Sequence, residues 1–259
     1  MILLTNDDGI FAPGLWALAK ELKTIDRIVV VAPDREQSAT GTSVTLRQPL
    51  RVQKIGSILA GVDTYAIEGT PSDSVILALG KLVKDKADMV ISGINRGLNL
   101  GDDVLISGTV GAALQGYLRS LPAMAVSVAG ADPANLQTAA KLARLLIQRI
   151  KTGILPTDIF INVNLPDRPL PQIKGIAITQ PAHKTHIDTV EEGSDGRRDY
   201  YWLVRSKLNN HAENGTDILA LEQSYISITP LHTTFFRRPA PDMATGFCSE
   251  LLCELQRGR

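Results

Sequence analysis

The stretch Ile2-Leu3-Leu4-Thr5-Asn6-Asp7-Asp8-Gly9, continued by Ile10-Phe11-Ala12-Pro13-Gly14, is the point from which the rest of the chain can be read. An apolar run of strand length stops at two adjacent carboxylates and a glycine. Two such anions about 4 Å apart repel by about 4 kcal/mol at an effective dielectric of about 20. Solvent, a cation or a shifted pKa must offset that repulsion. Open α/β sheets collect ligands at the carboxyl ends of their strands, so a bound cation is one reading. Carboxylates in a solvated turn are the other, and this stretch alone does not separate the two.

Outward from it, Leu15, Leu18, Ala19 and Leu22 recur at the spacing of an amphipathic helix. Arg27-Ile28-Val29-Val30-Val31-Ala32, closed by Pro33, reads as a strand buried on both faces. Strand, helix and continuous apolar strand make a right-handed βαβ unit of a parallel sheet. Asp88-Met89-Val90-Ile91, residues 123–128 and Ile159-Phe160-Ile161-Asn162-Val163 repeat the strand pattern, with helices expected over 108–118 and about 135–151. Residues 44–68 predict short strands or a hairpin. Glu68-Gly69-Thr70-Pro71-Ser72-Asp73-Ser74 predicts a turn into a helix, with Thr70 or Ser72 as N-cap and Pro71 or Asp73 in the first turn. Val75, Leu79, Leu82 and Val83 supply that helix's apolar face. This rhythm predicts an α/β fold: a Rossmann-like, doubly wound, mostly parallel sheet forming a catalytic core over residues 1–170.

The rhythm changes afterwards, and residues 171–259 read as a smaller C-terminal β-rich extension, continuous with the core as one structural domain. Strands are expected over 175–179, 200–204, 218–221 and 225–229, and a final helix over 241–256. The charged tract 183–198 is read as a solvated loop, with a long arm reaching a neighbouring subunit as the alternative.

Composition narrows the function classes. A chain of 259 residues buries a substantial core. Its 27 Lys plus Arg balance 27 Asp plus Glu, which argues against a general nucleic-acid binder. No apolar run is long enough to span a bilayer. The chain opens directly on a strand, without the basic and apolar regions of a secretory signal. Cys248 and Cys253 lie five apart in the expected final helix, a spacing that suits neither zinc nor an internal disulfide. A reducing cytoplasm is the expected location.

Three polar clusters follow strong strands and would emerge at one edge of a parallel sheet: Asn6-Asp7-Asp8, the hydroxyl-rich loop around Ser38, and the segment from Asn95 to Thr109. The last, running from Ser92 to Val110, carries four glycines, whose backbone can approach a ligand closely. The helix opening near Ser107-Gly108-Thr109 offers hydroxyls and free N–H groups to a phosphate, although Ser107 could equally be a plain cap. Asp7, Asp8, Ser38 and Asn95 together form a hard, all-oxygen ligand set suited to Mg²⁺ or Mn²⁺. Such an ion neutralises a phosphoryl group and activates water. Rival nucleotide motifs are missing: no G-x-G-x-x-G follows the first strand, and neither a P-loop nor a G-x-S-x-G elbow occurs.

At these residues the chain resembles the SurE family of stationary-phase survival proteins, metal-dependent nucleotide phosphatases. The resemblance rests on Leu3-Leu4-Thr5-Asn6-Asp7-Asp8-Gly9 with Ala12-Pro13-Gly14, Ala32-Pro33-Asp34 with Ser38, and Gly69-Thr70-Pro71. It continues through Ser92-Gly93-Ile94-Asn95, Gly101-Asp102-Asp103-Val104, Ser107-Gly108-Thr109-Val110 and Ser227-Ile228-Thr229-Pro230-Leu231. It implies that Asp7, Asp8, Ser38 and Asn95 ligate one divalent ion per subunit, Mg²⁺ or Mn²⁺, with Ca²⁺ an occupant in crystals. Asp7, Asp8 and Asn95 are the implied catalytic residues, and Asn6, Gly9, Asn99, Ser107, Gly108 and Thr109 the phosphate- or substrate-facing set. The implied reaction is hydrolysis of nucleoside 5′- and 3′-monophosphates and, in some members, of short polyphosphate. A homodimer or homotetramer with an exchanged arm is implied, without a stable nucleic-acid or membrane partner.

Three positions depart from the family pattern. Ile106 stands where an aromatic residue is common, and Ser74 replaces a frequent cysteine. Thr233-Thr234 stand where an acidic residue often follows, which weakens a proton-donor role for His232. Two other functions stay open on sequence grounds: a nucleotide sensor without turnover, and an enzyme using an aspartyl-phosphate.

Overall fold

A computed structural model describes residues 1–56, 58–130, 132–183, 186–207 and 213–233. The chain alternates strand and helix through its first part: β1 (Ile2–Thr5), α1 (Pro13–Leu22), β2 (Ile28–Pro33), β3 (Val52–Ile55), β4 (Asp63–Ile67), α2 (Pro71–Leu77), β5 (Met89–Arg96), α3 (Gly108–Tyr117), β6 (Ala123–Val128), α4 (Pro133–Lys151) and β7 (Phe160–Leu165). Then follow β8 (Gly175–Ile178), β9 (His186–Ser194), β10 (Asp199–Lys207), α5 (Asp217–Glu222) and β11 (Tyr225–Pro230).

Nine strands form one sheet in the order β3-β4-β2-β1-β5-β6-β7-β11-β8. From β4 to β7 every neighbouring pair is parallel. β3 runs antiparallel to β4, and β11 runs antiparallel to β7 but parallel to β8. The winding direction reverses between β1 and β5, which opens a crevice at their carboxyl ends.

Both faces of the sheet are covered, which is why the central strands lack polar alternation. Successive side chains on a strand point to opposite faces. Ile2 and Leu4 of β1 accordingly join one core with Leu15, Leu18 and Leu22 of α1 and Ala139, Ala143 and Ile147 of α4. Leu3 joins the other with Val29 and Val31 of β2, Val75 of α2 and Ala112 of α3. Each fully buried Leu or Ile contributes roughly 1.5–3 kcal/mol. Pro13 opens α1 at a position where its missing N–H costs nothing. α2 begins with a complete capping box: Asp73 N–H donates to the Thr70 hydroxyl at 3.1 Å, and Thr70 N–H to the Asp73 carboxylate at 2.9 Å.

The sheet crosses residue 170 without a break, because β11 pairs with β7 and β8 with β11. Two expectations are corrected in this part. Residues 218–221 lie in helix α5 rather than in a strand. A four-residue apolar run has no periodicity to separate helix from strand, and Thr216 before Asp217 starts a helix as readily. The tract 183–198 is largely strand: β9 pairs antiparallel with β10 in full register, from His186 opposite Lys207 to Ser194 opposite Asp199. Charge misled here because this hairpin stands outside the main sheet and so needs no apolar face. The helix expected over 241–256, with Cys248 and Cys253, lies outside the described residues.

Candidate active site

β1 ends in the crevice and delivers the two carboxylates. Asp7 is only 5% exposed. Its Oδ1 accepts the hydroxyl hydrogen of Thr109, in the first turn of α3. That helix comes so close that a Cβ on Gly108 would stand 2.9 Å from Asp7 Cβ and 3.0 Å from Asp7 Oδ2. A side chain at position 108 would push the helix off the carboxylate. Burial raises the Asp7 carboxyl to about 6; the Thr109 hydroxyl pulls it down and the Asp8 charge pushes it up again.

Asp8 is half-buried, and burial raises its pKa as well. The Arg96 backbone N–H, which donates to Asp8 Oδ2 at 3.0 Å, and the Arg96 charge both lower it; the Glu36 charge raises it. Asn6 is fully buried: its Nδ2 donates to the Gly9 carbonyl at 3.0 Å, while its Oδ1 has no partner among the described residues. An orphaned buried amide oxygen costs about 1–3 kcal/mol unless something reaches it.

The other two loops arrive through neighbours of the expected ligands. Gln37 N–H donates to the Asp7 carbonyl at 2.8 Å, seating Ser38 one residue on. The exposed Ser38 hydroxyl donates to Glu36 Oε1 at 2.7 Å, and its oxygen lone pairs stay available. Arg96 N–H on Asp8 seats Asn95 one residue back. Asn95 Nδ2 donates to the Gly97 carbonyl at 2.8 Å, an assignment that leaves Asn95 Oδ1 as the acceptor. The same loops bind each other, since Gly41 N–H donates to the Ile106 carbonyl at 2.8 Å.

The phosphate-facing set divides. Ser107 caps α3, its oxygen accepting from Val110 N–H at 3.1 Å, so its own hydrogen remains to donate. The N–H groups opening α3 lack intrahelical acceptors. Thr109 instead spends its hydrogen on Asp7. Asn99 is buried, and its Nδ2 donates to Ser127 Oγ at 2.9 Å. Its backbone is held by β7: its N–H donates to Asn164 Oδ1 at 2.9 Å, and its carbonyl accepts from Asn162 at 2.8 Å and Asn164 at 3.1 Å. His232 lies exposed beyond β11. Sequence reasoning missed Gln37, Glu36 and Arg96. Arg96 carried a signal, as the single basic residue between Ser92 and Val110.

The donor set fits a hard divalent ion. On Asp7, Asp8, Ser38 and Asn95 one polar function is tied by a neighbour, which orients each side chain and leaves oxygen lone pairs over. Among the described residues no group of three His, Cys, Asp or Glu side chains converges to hold a metal. Two carboxylates with Ser and Asn oxygens would suit Mg²⁺ or Mn²⁺ better than zinc.

Comparison with known proteins places this geometry. Residues 2–188 match the family model described as "Survival protein SurE". The chain belongs to the SurE family. A "5'-nucleotidase SurE" of Dehalococcoides mccartyi is 57% identical over 240 residues, covering 92% of this chain and 91% of that protein. One of the same name from Alkalilimnicola ehrlichii is 41% identical over 251 residues, covering 96% of each. The crystal structure of the SurE protein from Aquifex aeolicus superposes with a TM-score of 0.75 at 35% identity, covering 98% of this chain and 99% of that one. The SurE-family sheet, and with it the crevice between β1 and β5, is thus shared across most of the chain.

Proposed function

We propose that this chain is a divalent-metal-dependent phosphomonoesterase that hydrolyses nucleoside 5′-monophosphates to nucleoside and phosphate. The names of its relatives support the nucleotidase activity. The observation that supports the metal is the pair Asp7-Asp8: a buried carboxylate raised to about 6, with a second carboxylate next to it in the sequence. Asp7, Asp8, Ser38 and Asn95 would hold the ion, Mg²⁺ or Mn²⁺, one per chain. When bound, such an ion supplies charge neutralisation for the phosphoryl group and acidifies water.

The chain's own residues do the rest. The opening N–H groups of α3 and the Ser107 hydroxyl bind the phosphoryl oxygens, where the helix dipole favours negative charge. Thr109 holds the Asp7 carboxylate in one orientation, and Gly108 lets the helix end and the carboxylate approach together. Asn6 Oδ1, without a partner among the described residues, is an acceptor for water or substrate. This is catalysis by positioning and electrostatics. The same chemistry extends the proposal to 3′-monophosphates and short polyphosphate, with the chain acting as a cytoplasmic homodimer or homotetramer and no nucleic-acid or membrane partner. Among the described residues no helix is long and apolar enough to cross a membrane.

The test is phosphate release from AMP and GMP with Mg²⁺ or Mn²⁺. Release that a chelator abolishes and added metal restores is expected. Folded protein that releases no phosphate from any nucleotide with either metal would contradict the proposal.

A further inference from the structure

The loop 97–107 carries Asn99 and leads into Ser107 and α3, yet much of what fixes it comes from the far end of the sequence. Asp217, the first residue of α5, is fully buried. Its Oδ2 accepts from Gly101 N–H at 2.8 Å, and its Oδ1 from Ala182 N–H at 3.0 Å and Ile218 N–H at 2.9 Å. Asp217 N–H in turn donates to the Gln180 carbonyl at 3.0 Å, so the carboxylate sits on a locked frame. Gly101 opens the single 3-10 turn Gly101–Leu105, and Ser107 N–H closes back onto the Asp103 carbonyl at 2.9 Å. The seven residues Gly101–Ser107 therefore join the Asp217 carboxylate to the cap of α3. A second link comes from β10, where the Arg205 guanidinium pairs with Asp103 at 3.1 Å.

We infer that Asp217 is a positioning residue: its carboxylate holds the loop 97–107 from behind, so that the phosphate-facing end of α3 is set by the C-terminal extension. The inference rests on the phosphatase reading above. A carboxylate here is costly, since burial raises its pKa in spite of the N–H donors. It does what an apolar residue could not, accepting N–H groups from three separate segments at once. Loosening the loop would misplace groups that act on the transition state more than on bound substrate, which lowers kcat and spares KM.

The experiment compares Asp217→Asn with Ser227→Ala. The amide turns a donor toward N–H groups; the serine is buried in the same extension and bonds Thr179 at 2.8 Å and Thr229 at 3.3 Å. Below the melting temperatures, kcat for phosphate release from AMP with Mn²⁺ is expected to fall about 10- to 100-fold in Asp217→Asn, with KM changed by less than about threefold. Backbone amides of 97–107 are expected to exchange with deuterium about tenfold faster or more, and those of α1 at the parent rate. Ser227→Ala keeps kcat within about twofold. The inference is overturned if Asp217→Asn keeps parent kcat and loop exchange, or if Ser227→Ala loses as much kcat at equal fraction folded. Should Asp217→Asn not fold, Arg205→Ala is read the same way, with kcat lowered about two- to fivefold and faster loop exchange expected; parent values for both would overturn it. If the parent protein releases no phosphate, the phosphatase reading falls, and the exchange rates alone decide whether Asp217 holds the loop.

Discussion

Asp7 and Asp73 are both nearly inaccessible carboxylates beside helix openings, and they are provided for in opposite ways. Asp73 accepts from Thr45 N–H at 2.8 Å, the Thr45 hydroxyl at 2.6 Å and Thr70 N–H at 2.9 Å. Every one of those donors belongs to the loops it fastens, so its charge is satisfied within the protein. Asp7 accepts from the Thr109 hydroxyl, has its pKa lowered further by the backbone of Thr109 and of Asp7 itself, and has a second carboxylate as its sequence neighbour. These donors do not outweigh its burial, and its carboxyl stays raised to about 6. The contrast separates a carboxylate that holds the fold together from one that the fold holds ready.

The largest effect expected from that contrast is on catalysis. Asp8→Asn should lower kcat/KM for AMP by about 10³-fold, measured as phosphate release with Mn²⁺, and leave the melting temperature of the metal-free protein unchanged or higher. Asp73→Ala should do the reverse. It strands three donors and should cost about 2–3 kcal/mol in denaturant unfolding, with far less loss of kcat. A loss of activity equal to that of Asp8→Asn would erase the distinction.

Next in size is the pH dependence of the metal-free protein. The folded pKa of Asp7 lies above its unfolded value, so this group favours the folded state at low pH. Its contribution is lost as pH rises from about 4 through about 6. Metal-free Asp7→Asn should therefore exceed the parent in stability by roughly 2 kcal/mol at neutral pH and lose that margin near pH 4. Asp26 works in the other direction: its pKa is lowered by the hydrogen bond from Lys151, against a desolvation that raises it, and it loses its contribution only at lower pH. The smallest effect should come from Arg51→Ala, which removes an exposed pair with Glu68 at 3.1 Å and should change stability by less than about 0.5 kcal/mol.

How much of this was legible in the sequence follows from where local pattern decides structure. Ile2-Leu3-Leu4, Ile28–Pro33 and Met89-Val90-Ile91 are buried on both faces, so their continuous apolar runs announced the parallel sheet and the edge where Asp7, Asp8 and Asn95 emerge. Thr70-Pro71-Ser72-Asp73 announced its helix, because capping is a matter of four consecutive residues. The failures lay where a decision is made across the chain. Nothing local at Asp217 says that it will meet Gly101, 116 positions away. Nothing at Thr109 says that its hydroxyl will face Asp7 rather than a phosphate. Of the β9–β10 hairpin, β10 was legible as the strand expected over 200–204, where Tyr201, Trp202 and Leu203 stand, and β9 was hidden by the charge of its tract.

Titration of metal-free protein with Mn²⁺ by calorimetry, at about pH 7.5 and again at about pH 5.5, tests most directly whether the rim of β1 waits for a cation. The account predicts one ion per chain at the higher pH, weaker binding at the lower as Asp7 takes up a proton, and loss of binding in Asp7→Asn. Parent protein that binds no ion, or Asp7→Asn that binds it as tightly as the parent, would contradict it.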